Sequence, residues 1–140
     1  MAAGTVTLHA SGAETVTGTG SAIDLTTQPS VNAVFVLDVT AAATEAGDTL
    51  NVFVQTRVDG TNWIDVIHFT PVLGNGGVKR YVGKVCAATA MTMFENGTAL
   101  GNSAVRDILG AEWRCRWVIV DVATASNQSF TFSVIGTLDQ

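Results

Sequence analysis

Apolar residues recur at every second position through much of the chain, with Gly, Asn and Asp between the runs. A strand sends successive side chains to opposite faces, so this period predicts strands rather than helices. The clearest run is Leu50 to Val58, with Leu50, Val52, Val54 and Val58 on one face and Asn51, Gln55 and Arg57 on the other. One face belongs to a core and the other to solvent or a partner. Asp59-Gly60 and Thr61-Asn62 then give a loop of four or five residues into a second strand, Trp63 to Phe69, so the two runs read as an antiparallel hairpin. Pro71 closes that strand, Gly74-Asn75-Gly76-Gly77 turns the chain into Val78 to Val82, and a continuing meander is expected. Asn32 to Thr40 is apolar on both faces, as in a central strand covered on both sides. Trp113 to Val122 and Ser129 to Ile135 are expected to pair with each other, Phe130, Phe132 and Val134 pointing inward.

Three stretches depart from the period. Ser103 to Gly110 sets Val105, Ile108 and Leu109 at helical spacing, with Asn102 or Ser103 as N-cap and Gly110 as stop, which predicts a two-turn helix. Cys86 to Leu100, rich in Ala, Thr and Met, is either a β-excursion or an ordered loop. The first thirty residues are Gly-, Ser- and Thr-rich, anchored by Val6, Leu8, Val16, Ile23 and Leu25, and read as an edge strand or as an arm that orders on a neighbour. The expectation is one all-β domain over residues 1–140, an antiparallel β-sandwich or flattened barrel with one short helix near Val105 to Leu109 and an N-terminal arm at about residues 1–20. Its core is assigned to Phe35, Leu37, Val52, Val54, Phe130, Phe132 and Val134.

Composition adds a need for partners. Of the 140 residues only 14% are charged against a norm of about 25%, while 47% are hydrophobic, so part of the apolar surface is expected to lie in an interface. The apolar runs fall far short of the ~20 residues of a membrane-spanning helix, and a membrane is not an expected partner. A net charge of -5 with no cationic run beyond Lys79-Arg80 argues against nucleic acid. The first residues lack a signal-peptide pattern, so synthesis in the cytoplasm is expected, with Cys86 and Cys115 as free thiols.

Candidate chemistry is sparse. His9, His68 and Tyr81 are far apart, the carboxylates are scattered singly, and His68 with Cys86 or Cys115 would give a nucleophile pair that nothing local activates. No zinc spacing occurs, and Asp59-Gly60-Thr61-Asn62 is too short of oxygen ligands for a calcium loop. No catalytic residue, metal or cofactor is assigned. Trp63, Trp113 and Trp117 fit core packing better than an exposed sugar platform. Arg114 and Arg116 share a strand face and repel unless carboxylates meet them, supplied by a neighbouring strand or by a partner chain. Thr5, Val6, Thr7 and Leu8 alternate like a strand seeking an edge; with Arg114 and Arg116 they are the candidate assembly contacts.

Leu37-Asp-Val-Thr-Ala-Ala42, Thr49-Leu-Asn-Val-Phe-Val-Gln55 and Asp59-Gly-Thr-Asn-Trp63, with Val105 to Trp117 and Ser129 to Val134, make the chain resemble small β-sandwich virion proteins of tailed bacteriophages and prophages. The resemblance runs roughly from Val34 to Ile135. It implies a structural virion protein without enzymatic residues, most simply a capsid decoration protein that sits as a homotrimer on the major capsid protein at the outer surface of the particle, after synthesis in the host bacterial cytoplasm. A tail, neck or fibre-base component and a carbohydrate-binding module are the alternatives.

Overall fold

The computed structural model describes residues 4–25, 32–87, 92–122 and 128–139. In chain order the strands are β1 (Gly4–Glu14), β2 (Gly18–Thr19), β3 (Ile23–Asp24), β4 (Asn32–Ala41), β5 (Thr49–Arg57), β6 (Ile64–His68), β7 (Val72–Leu73), β8 (Lys79–Cys86), β9 (Ala104–Val105), β10 (Glu112–Val120) and β11 (Phe130–Asp139). They form two antiparallel sheets packed face to face, the expected sandwich. One sheet runs β1-β11-β4-β8; the other runs β2-β10-β5-β6-β9, with β3 also on β10 and β7 also on β5.

Alternation builds the core. Phe35, Leu37 and Val39 of β4 and Phe130, Phe132 and Val134 of β11 point inward from the first sheet, and Leu50, Val52, Val54, Trp113 and Cys115 meet them from the second, all at 1% exposure or less. Each such large side chain contributes about 1.5–3 kcal/mol relative to exposure. Phe35 reaches Trp113 across the interface at 5.5 Å between rings. Gly136 makes room for it, since a Cβ there would lie 2.3 Å from the Phe35 ring.

The N-terminal stretch is an edge strand of its own sheet. β1 pairs with β11, Thr5 opposite Thr137 and Thr7 opposite Ile135, while Val6 and Leu8 enter the core. The neighbour-seeking arm is corrected accordingly: β11 offers an open edge within the same chain, and two apolar anchors suffice to seat the strand there.

Other expectations fail where the sequence period says nothing about which sheet a strand joins. β5 and β6 make the expected hairpin, but β8 crosses to pair with β4 instead of continuing the meander. β10 pairs with β5 and β11 with β4 and β1, so these two strands lie in opposite sheets. The expected loop between them, residues 123–127, lies outside the described residues. Val58 lies beyond the end of β5 and is exposed.

The expected helix near Val105 to Leu109 is absent. Ala104 and Val105 are strand β9 on β6, and the Arg106 amide donates to the Val66 carbonyl at 2.8 Å. A two-turn helix is marginal alone, and pairing with an open strand edge supplies the same backbone partners along with burial. Ile108 and Leu109 still pack against the core, but from a non-helical segment.

Candidate functional site

The two sheets present outer faces of different character. On the β10-β5-β6 face the register brings Arg116, Phe53 and His68 into one row and Arg114, Gln55 and Asp65 into the next. Asn96 to Leu100 lie over part of this face, lining a cleft with Gln55, Asp65 and Arg116 and bonding to His68. His68 is buried, stacks on Phe53 at 4.0 Å, and places Nδ1 2.9 Å from the Leu100 carbonyl and Nε2 2.9 Å from Asn51 Oδ1. Arg106 donates to the Thr98 carbonyl at 2.7 Å and lies over the Phe94 ring. Between roof and sheet is a polar cleft of about 240 Å³, lined by Trp63, Asp65, Asn96, Thr98, Arg106 and Arg116 among others.

The polar groups of that cleft are largely engaged with one another. Gln55 is buried and spans its neighbours, donating Nε2 to Asp65 Oδ1 at 2.8 Å and accepting Arg114 Nε on Oε1 at 2.7 Å. Arg116 donates to Asp65 Oδ2 at 3.1 Å and lies over Phe53. The question of what meets Arg116 is thus answered within the chain by β6. Among the described residues Arg114 has no carboxylate in ion-pair contact; it lies over Trp63, which Arg57 also covers. Burial and the charges of Arg116 and Arg57 pull its guanidinium below the usual value. Arg57 is held above its usual value by its hydrogen bond to Glu112.

The face of β1-β11-β4-β8 has no such roof among the described residues. Its outward positions line up in rows: Thr7, Ile135, Val36 and Val82 across all four strands, Thr5, Thr137, Val34 and Lys84 beside them, and Ser133, Asp38 and Arg80 on the other side. Val82 is 66% and Ile135 40% exposed. A groove of about 250 Å³ runs between Val34, Val36, Asp38, Arg80, Ser133, Ile135 and Thr137. Here the expectation for β4 is corrected: it is central in its sheet but covered on one side only, so Val34 and Val36 stand half-buried on an open surface. β8 forms the edge of this sheet and carries Lys79, Arg80 and Lys84, three of the seven cationic residues, all exposed.

The six candidate assembly contacts therefore separate. Thr5 and Thr7 are exposed on the open face, Val6 and Leu8 are core, and Arg114 and Arg116 belong to the roofed face. His9 is better packed than its surroundings in sequence suggest: it stacks on Phe132 at 4.2 Å and lies 2.9 Å from Glu14 Oε1. The Cys/His pair is not assembled, because Cys115 points into the core and His68 to the opposite side of the sheet. Burial also pushes the Cys115 thiol far up, away from the nucleophilic thiolate. Cys86 and Cys115 are both free. Trp113 and Trp117 are core, as expected, and Trp63 is half-buried beneath its two arginines.

One cluster had no signal in the sequence. Glu45 and Asp48 of the β4–β5 loop and Asp121 just after β10 each bring an oxygen within 4.8 Å of the others. Only strand pairing, Thr49 opposite Val120, puts those segments side by side. No protein-family model matches the chain, and no curated protein matches it either.

Proposed function

We propose that this chain is a structural assembly protein that works through the open face of its β1-β11-β4-β8 sheet, and that its place is on the shell of a tailed bacteriophage as a trimeric capsid decoration protein. The observation that carries the assembly reading is the apolar row Ile135, Val36 and Val82, with Val34 beside it, on an uncovered sheet of a chain with few charges to spare. Water wets such a row at a cost that a second surface removes. The flanking Asp38, Arg80 and Lys84 give the polar rim that fixes register in an interface. The capsid itself comes from the resemblance of Leu37 to Trp63 and Val105 to Val134 to small virion proteins. A sugar-binding reading is weaker, because Trp63, the one tryptophan outside the core, is occupied by Arg57 and Arg114.

The test uses Val82→Asp and Ile135→Asp. Sedimentation of the wild-type protein should show a trimer, and the double variant a folded monomer that no longer binds expanded capsids. A wild-type monomer with no affinity for capsids would refute the proposal. Capsid binding at full strength by the double variant would refute this face as its basis.

A further inference from the structure

We propose that Glu45, Asp48 and Asp121 form a calcium site at the end of the sandwich where the β4–β5 loop, the turn after β7 and the end of β10 meet. The three oxygens lie within 4.8 Å of one another. Around a calcium ion with bonds of about 2.3–2.6 Å, two opposite ligands are about 5 Å apart and three evenly spread ones up to about 4.5 Å, so a shift of a few tenths of an ångström at most brings all three oxygens onto one ion. Magnesium, with bonds of about 2.0–2.1 Å, spans little more than about 4 Å and sheds water reluctantly. An all-oxygen donor set also disfavours zinc.

Two buried oxygens point to a cation independently of the clustering. Asp48 is fully buried; its Oδ1 accepts the Val122 amide at 3.0 Å, but its Oδ2 accepts no hydrogen bond. Glu45 Oε2 is likewise buried and without a donor. Buried carboxylate oxygens are normally matched by donors or by a metal.

The frame around the cluster is built closely. The Gly74 amide donates to the Asp48 carbonyl at 2.7 Å, and a Cβ on Gly74 would lie 1.9 Å from the Glu45 carbonyl oxygen. Gly47 takes a φ of +101 between the two acids, and a Cβ there would press on Val122. The loop is thus held against its neighbours by backbone approach rather than by side chains, which fixes the carboxylates before an ion arrives. Asp121 is exposed, so the site opens to solvent on one side and water can complete the six to eight oxygens calcium takes.

The full chain, stripped with a chelator, is titrated with calcium chloride and separately with magnesium chloride while its melting temperature and binding heat are followed. Calcium at about 10 mM should raise the melting temperature by about 5 °C or more, and magnesium by less than half as much. Asp121→Asn, at an exposed position, should fold and melt at or above the chelated wild type yet lose most of the calcium response. Asp48→Asn should lose it as well, and if that variant fails to fold the Asp121→Asn result decides alone. No heat and no shift with calcium, an equal shift with magnesium, or an undiminished response in Asp121→Asn would each overturn the assignment.

Discussion

The two outer faces of this sandwich solve the same problem in opposite ways. The β10-β5-β6 face carries Arg114, Arg116, Gln55, Asp65 and His68 around Phe53, and the chain lays its own segment across part of it. The β1-β11-β4-β8 face carries Val34, Val36, Val82 and Ile135 in a setting of threonine and serine, and no described residue roofs it. Polar groups under a roof need partners with fixed geometry, and a covalently attached segment supplies them at little entropic cost. Apolar side chains need only exclusion of water, which any complementary surface provides. The difference teaches that the face richest in recognisable chemistry is spent on internal structure, while the plainer face is the one that no described residue covers.

The comparison can be broken first at His68. If the roof is a structural element, His68→Ala, which removes the stack on Phe53 and the partners of Leu100 and Asn51, should cost about 2–3 kcal/mol. Hydrogen exchange would then show lost protection around residues 98–105, and unchanged protection there would mean the roof is held by other contacts. Asp65→Ala comes next. It strands Arg116 and Gln55 together and should destabilise by about 1–2 kcal/mol in a denaturant titration, only part of it recovered by Asp65→Asn, whose single oxygen can accept from Gln55 or Arg116 but not from both.

On the open face the expectation reverses. Val82→Asp changes a 66% exposed side chain and should alter the stability of the isolated chain by no more than about 0.5 kcal/mol, although it is aimed at assembly. A much larger loss in a monomer would show that this face is already covered by the chain itself. The smallest effect belongs to neither face and serves as a control. Asp59 accepts bonds from the amides of Asn62 and Thr61 and from the Asn62 side chain, which hold its carboxyl down at about 2. A carboxyl lowered on folding stabilises the fold above its unfolded value of about 3.9, and that contribution fades as pH falls toward 2. The wild-type melting temperature should therefore drop slightly more steeply between about pH 4 and pH 2 than that of Asp59→Asn.

Much of the fold was legible in the sequence for a local reason. Alternation with period two is a property of one strand, so it named the inward residues Phe35, Leu37, Val52, Val54, Phe130, Phe132 and Val134, and turn residues such as Asp59-Gly60 named the β5–β6 hairpin. Sheet membership is not local: nothing in β8, β10 or β11 states which strand lies beside it, and here tertiary packing sent consecutive strands to opposite sheets. The same holds for Val105 to Leu109, whose apolar spacing suits a helix until an open β6 edge offers a ladder. The sites were less legible still. Gln55 looks like a solvent residue and is buried because another part of the chain covers its face, while Val36 looks like a core residue and is half-open because nothing described covers its own. Glu45, Asp48 and Asp121 are ordinary single acids until two distant segments converge. The sequence by itself determined which way each side chain points from its strand, because that follows from backbone geometry; only the tertiary structure decided what each side chain then meets, because that depends on contacts between segments distant along the chain.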